Sequence, residues 1–285
     1  MGHEVGRRRR DAAAFGAAAM TRRTFARMTA GAAAGMPWRA AGKPGTLKIG
    51  IGTYSYHGLS MEAMIVQLQA LRIQEVEMSR GEFMLLSHPG EERFRAARAL
   101  FDKAGIRCVS YYAATIHDEH ELDSAIRFAK LLGAGNITGD ATGGPLLKRI
   151  DESCTQAGLS FGIHNHYFKT KFAYESPDDV LRALTGLSKT VGATVDVGQF
   201  ASCGYDPVDA VRKLGPYLKL VHLKDIAAAG AEDNVLLGQG IAKIPEVMQE
   251  LRKLNFGGLV AIEYEKEGPV DQDLRQEVAF ARKLA

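Results

Sequence analysis

Four ionisable residues close apolar runs in the second half of the chain: His164 in FGIHNH, Asp196 in ATVDVG, His222 in LVHLKD and Glu263 in VAIEYE. A titratable group at the end of a buried run is costly unless it has a partner. Each has a plain structural role open to it. Asp196 could cap a following helix, either histidine could be satisfied by core hydrogen bonds, and Glu263 could pair with a lysine. Together, two imidazoles and two carboxylates make a neutral donor set for one divalent cation. Mixed nitrogen and oxygen ligands suit Mn2+, Zn2+, Co2+ or Fe2+ better than Ca2+. Some tens of residues separate each from the next, so only the fold can bring them to one point.

The elements that would do so alternate from residue 47 onward. LKIGIGT, EVEMS, IRCVSYY, NITG, LSFGIH, TVGATVD, LKLVHLK and LVAIEYE read as strands. Between and after them stand segments with helical apolar spacing, such as SMEAMIVQLQALR and EERFRAARALFDKAG. Gly105 predicts a left-handed helix end, and Ser176 followed by Pro177 predicts a helix start. Eight strands and eight helices in strict order imply parallel strands joined by right-handed crossovers. A single-domain (β/α)8 TIM barrel over residues 43–285 is the expected fold. A doubly wound open sheet is the alternative, but GIGTYSYHG after the first strand carries its glycines at the wrong places for a dinucleotide fold. In a barrel the C-terminal strand ends form the catalytic face. His164, Asp196, His222 and Glu263 then stand on adjacent strands five to eight at one mouth.

TVDVGQF, VHLKD and AIEYE, with EVEMS on strand two, give residues 47 to 285 their character. On these motifs the chain resembles the xylose isomerase-like TIM barrels of the sugar phosphate isomerase/epimerase superfamily. The resemblance implies one divalent metal held by a Glu, an Asp, a His and a second Glu from strands five to eight. The last three fall on Asp196, His222 and Glu263. Where many relatives read E-N-H, this chain reads H-N-H, so His164 takes the place of the first glutamate. In ketose epimerases of the family the two glutamates exchange a proton beside a metal-polarised carbonyl. A neutral histidine can ligate a metal or accept a proton, but one nitrogen cannot do both. Glu263 stays a metal ligand and base. The second acid/base group is open among His166, Glu77, His57, Lys224 and Glu265, with His166 and Glu77 put first.

Tyr54, His57, Asn165 and Lys224 are expected to bind substrate, and Tyr112 and His117, placed after strand three, could line the same pocket. Asp225 could hold substrate hydroxyls. LGQGIAKI, residues 237–244, could bind an anion through its backbone N–H groups or simply turn the chain. Three functions fit: a metal-dependent isomerase or epimerase of a ketose or related sugar; a lyase or dehydratase of a keto-sugar, cyclitol or 3-keto-glycoside; and a barrel that binds sugar without turnover. Homo-oligomerisation and an oxidoreductase partner encoded elsewhere stay open.

The first residues differ in composition. TRRTFARMTAGAAAGM, residues 21–36, pairs arginines before a weakly apolar Ala/Gly run, in the order of a twin-arginine export signal. Residues 1–42 are read as an extension plus this signal, with Met20 an alternative start and a periplasmic or extracellular destination. The run is too short and too rich in small residues for a membrane span. Residues 1–42 hold eight Arg and two acidic residues, so a whole-chain charge of +3 becomes −3 without them. That balance gives no bulk attraction for nucleic acid. The three cysteines, Cys108, Cys154 and Cys203, are far apart and form neither a disulfide framework nor a thiolate zinc site.

Overall fold

Strand-forming runs and amphipathic helices alternate as expected in the computed structural model, which describes residues 45–84, 90–141, 143–167 and 173–285. The N-terminal extension, with the export signal expected in it, lies outside the described residues. Eight parallel strands close into a barrel: β1 (Lys48–Gly52), β2 (Glu75–Met78), β3 (Arg107–Ile116), β4 (Asn136–Ala141), β5 (Ser160–His164), β6 (Val191–Asp196), β7 (Leu218–Leu223) and β8 (Leu259–Ile262). They pair in chain order, and β8 returns to β1 with Ile51 opposite Ile262. The fold is a TIM barrel, not an open sheet.

The helices around it are α1 (Met61–Ala70), α2 (Glu91–Ala104), α3 (Glu119–Leu132), α4 (Gly144–Ala157), α5 (Pro177–Leu184), α6 (Val197–Ser202), α7 (Pro207–Leu214), α8 (Ile244–Lys253) and α9 (Asp271–Leu284). Gly105 ends α2 at φ 70, where a side chain is disfavoured. Ser176 opens α5 in a capping box with Asp179. Buried aromatics fill the layer between helices and strands, with Phe94 stacked on Phe128 at 4.1 Å. Among the described residues no helix is long and apolar enough to cross a membrane.

Two departures from the expected elements bear on the site. The short helix α6 starts directly after β6, because the Asp196 side chain accepts the backbone N–H of Gln199 and caps it. β3 runs four residues beyond Tyr112, so Tyr112 lies inside the strand. Its register against β4 shifts between Tyr112 and Thr115, and Ala114 there has φ 53.

Below the mouth the barrel interior is polar. Ser110 Oγ donates to Glu77 Oε1 at 2.8 Å and lies 3.1 Å from Thr138 Oγ1, which lies 3.1 Å from Thr194 Oγ1. Such a layer is stable only because its members satisfy one another. At the rim, the loop of residues 237–244, which the sequence leaves open between anion binding and a simple turn, binds a carboxylate of the chain's own. Asp225 accepts the N–H groups of Gly238, Gly240 and Ala242 at 2.9 to 3.0 Å. Both its oxygens are engaged, and it does not reach a substrate. A Cβ on Gly240 would lie 2.1 Å from the Ile226 carbonyl oxygen, so only glycine fits.

The same loop is held from outside by Glu277 of α9, which accepts the Leu237 N–H at 3.0 Å. Burial pushes its pKa up to about 8. The folded state thus keeps a proton that the unfolded chain releases above its ordinary carboxylate pKa of about 4.5. Stability from this group is complete below that value and is lost as pH rises through about 8. Thermal midpoints between pH 5 and pH 9 should fall less for Glu277→Gln than for the wild type; equal falls would contradict this.

Candidate metal centre and active site

β5 and β6 end in His164 and Asp196, His222 is the last residue but one of β7, and Glu263 follows β8 directly. Adjacent-strand register puts Asp196 opposite His222 and His222 opposite Ala261. His164 Nε2 lies 2.9 Å from His222 Nδ1, and that nitrogen lies 2.8 Å from Glu263 Oε2. One ligand atom from each of His164, Asp196 and His222 falls within 4.8 Å of the other two. Two donors each about 2.1 Å from one ion, at right angles, stand about 3 Å apart, so these are spacings that one coordination sphere can take up. Asp196 spends Oδ1 on its cap; Oδ2 is buried and has no hydrogen-bond partner among the described residues. Lys224 Nζ stands 3.5 Å from Oδ2; donor types, spacing and this oxygen without a hydrogen bond fit a divalent ion.

His222 is held from beneath. Its Nε2 is 2.5 Å from Glu77 Oε2, and both side chains are fully buried. With Nε2–H donated to Glu77, the Nδ1 lone pair faces the cluster, the arrangement that orients a metal-ligating histidine. Burial disfavours charge on this ring, but Glu263 and Glu77 outweigh it and lift its pKa well above the usual imidazole range. A metal ion at Nδ1 therefore competes with a proton. His164 behaves oppositely. Burial, then His166 and His222, push its pKa well below the usual value, which leaves a neutral imidazole. Its Nδ1 is 2.8 Å from His166 Nε2, itself 2.8 Å from the Tyr112 hydroxyl.

Lys224 is buried as well, with Nζ at 3.1 Å from Glu265, 3.3 Å from Glu263 and 3.5 Å from Asp196. Burial disfavours its charge, but these carboxylates outweigh that and hold its pKa well above normal. For Glu263 burial acts against ionisation, yet Lys224 and His222 prevail and keep it well below the carboxylate range. Burial pushes Glu265 up to about 7, with Lys224 opposing and Glu263 adding.

Several expected roles change with this geometry. Glu77, expected as an acid/base group, is shut beneath His222. Asn165, expected at the substrate, spends both ends of its amide on the Asp196 backbone, accepting from N at 2.8 Å and donating to O at 3.0 Å. Lys224, also expected there, is enclosed by three carboxylates. These three position the cluster. His57 stacks on Tyr54 but lines a separate cavity of about 390 Å3 with Tyr56 and Glu267. His117 is exposed and paired with Glu121.

The cavity beside the cluster measures about 300 Å3 and is lined by Tyr54, Tyr112, His166, Glu263, Glu265 and Asp140. A larger space of about 440 Å3 lies at the opposite end of the barrel, among the strand starts at Asn136, Ser160 and Leu218, away from the chemistry. Asp140 was missed from sequence because the fourth strand was read as NITG, one residue short of it. The rule that found the other four, a polar residue closing an apolar strand, would have found it too.

The description "Xylose isomerase-like TIM barrel" fits residues 69–284 as a family model. The chain belongs to the xylose isomerase-like TIM barrel family. An uncharacterized protein from Parabacteroides distasonis has a similar structure at 25% identity and TM-score 0.63, covering 84% of this chain and 99% of that one. The probable 3-DHS dehydratase involved in petrobactin synthesis from Bacillus anthracis matches at 15% identity and TM-score 0.67, over 82% and 98%. D-Psicose 3-epimerase from Clostridium cellulolyticum, solved with D-tagatose, matches at 12% identity and TM-score 0.65, over 84% and 99%. Curated relatives, among them an uncharacterized protein of Mycobacterium tuberculosis, are 34% identical over 70 residues, and the chain spans about a quarter of their length. Glu77 meets the cluster through His222, so it would act on an ion held there through that ring. Glu77→Gln should weaken Mn2+ binding about 10- to 100-fold by titration calorimetry while leaving the fold intact; unchanged affinity would contradict the role.

Proposed function

We propose that the chain is a divalent-metal-dependent enzyme of the isomerase/epimerase type, moving a proton next to the carbonyl of a ketose or related sugar. The observation that carries this reading is the His164–Asp196–His222 cluster, with Glu263 against it, opening onto a cavity of sugar size at the C-terminal end of the barrel. An ion held there would polarise a carbonyl oxygen and make the neighbouring C–H acidic. Glu263, kept ionised by Lys224 and His222, supplies a base. Glu265, with its pKa about 7, can give or take a proton near neutrality. His166 stays neutral because burial, helped by Lys224, holds its pKa at about 4, and it turns its Nε2 toward Tyr112. The proposal includes export by the twin-arginine route, supported by residues 21–36 alone; it suits substrates that are free sugars or glycosides.

A second reading, a lyase or dehydratase, is favoured by His164 itself. Its Nε2 faces the cluster and its Nδ1 faces His166. The metal-side carboxylate that many relatives use to return a proton to the opposite face of the substrate is thus replaced by a ring with both nitrogens engaged. Among proteins of similar fold, one is a 3-epimerase and one a probable dehydratase.

The two readings separate in D2O. Mn2+-loaded protein should introduce one solvent deuterium beside the carbonyl of a ketose recovered without loss of water or aglycone. Release of water or aglycone would decide for the lyase. No exchange and no elimination, with no rise in thermal midpoint on adding Mn2+ or Zn2+, would overturn both.

A further inference from the structure

Across the mouth from Glu263 stands an acidic group that the chemistry above does not use. Asp140 is on β4, and in an eight-stranded barrel β4 faces β8. Its side chain is 2% exposed. Oδ2 accepts the Thr115 hydroxyl at 3.2 Å, whereas Oδ1 has no hydrogen-bond partner among the described residues. The residue lines the same cavity of about 300 Å3 as Tyr112, His166 and Glu263. Buried carboxylate oxygens are ordinarily paired, because leaving one bare costs stability. A bare one at a pocket wall is an acceptor kept for something that enters the pocket.

The backbone around it is shaped to the same end. The register shift in β3 brings Thr115 opposite Asp140, and Ala114 takes up the irregularity at φ 53, a left-handed value unusual for a residue with a side chain. The displaced Ala114 carbonyl then packs against Gly139, where a Cβ would lie 2.6 Å from its oxygen. A strained alanine, an obligatory glycine and an unsatisfied oxygen thus converge on one carboxyl group. Strain of this kind gathers at functional sites.

We propose that Asp140 is a substrate-binding residue: its Oδ1 accepts a hydroxyl group of the sugar on the side of the pocket remote from the metal cluster, and Thr115 holds the carboxyl in place. The class of ligand rests on the sugar reading above; the acceptor role rests on the geometry. Burial pushes the carboxyl up to about 6, with the Thr115 hydrogen bond partly offsetting it, so it is an acceptor at neutral pH. A hydroxyl is the donor that a polyol brings to such an acceptor.

Two measurements on the full-length protein test this. In the first, thermal midpoints without sugar are compared for wild type and Asp140→Asn. Removing an unsatisfied buried charge should raise the midpoint by about a few degrees, the usual trade between stability and function. A fall would mean that Asp140 is structural and would overturn the proposal. In the second, Mn2+-loaded wild type and Asp140→Ala are titrated calorimetrically with D-fructose, D-tagatose and the monodeoxy series of D-fructose. Asp140→Ala should lose at least about tenfold in affinity for a parent ketose, yet match wild type for the one deoxy sugar that lacks the anchored hydroxyl. Equal losses across the whole deoxy series would overturn the proposal. If wild type binds none of these sugars, the sugar reading fails on its own; the thermal comparison then decides for Asp140 as an acceptor for another hydroxyl-bearing ligand or against it.

Discussion

The grip on His222 is the interaction on which the rest of the site depends. Glu77 holds one nitrogen at 2.5 Å from below and Glu263 approaches the other at 2.8 Å from the side. Neither carboxylate could be buried alone, and neither could the ring in its charged form. Glu77 in turn is tolerated because Ser110 engages its second oxygen and Thr138 and Thr194 extend the network across the barrel. The interior is therefore built as a polar pedestal under one imidazole, where a barrel without this site would pack branched aliphatic side chains. That pedestal fixes which nitrogen faces the mouth, and with it where an ion can sit.

Charge balance follows from the same crowding. Asp196, Glu263 and Glu265 share the Lys224 ammonium, which is buried only because three carboxylates surround it. This lysine keeps Glu263 ionised without coordinating anything, and it lets two strand-end carboxylates stand close together. A histidine at position 164 makes the ligand set less negative than one with a glutamate there. With an ion bound there, this difference would alter both the charge at the metal and the supply of bases near a substrate, which is the ground for the elimination reading proposed above.

Much of this was legible in the sequence because it rests on local rules. Strand ends were visible as polar residues closing apolar runs, and the Gly105 and Ser176 caps follow from backbone geometry alone. The barrel then converts four distant residues into neighbours. What stayed hidden depends on contacts across the barrel or on irregular backbone. That Glu77 lies under His222 cannot be read from either strand, and Lys224 and Asp225 are adjacent in sequence but serve different partners, the carboxylates of the cluster and the N–H groups of a backbone loop. The β3 bulge at Ala114 has no glycine or proline to announce it, and it carries Thr115 and the neighbouring Asp140 into register. Asp196 was legible as a helix cap, but not that the capped helix would be the short α6 directly after β6; Oδ1 makes the cap and Oδ2 is left without a hydrogen bond.

The claim at the centre is that His164 has taken a glutamate's place in the coordination sphere. X-ray absorption at the metal edge of the Zn2+-loaded protein counts imidazoles directly. One ion per chain with two imidazole ligands at about 2.0 to 2.1 Å, completed by oxygen, is the predicted spectrum; a single imidazole would leave His164 out of the sphere and contradict the account.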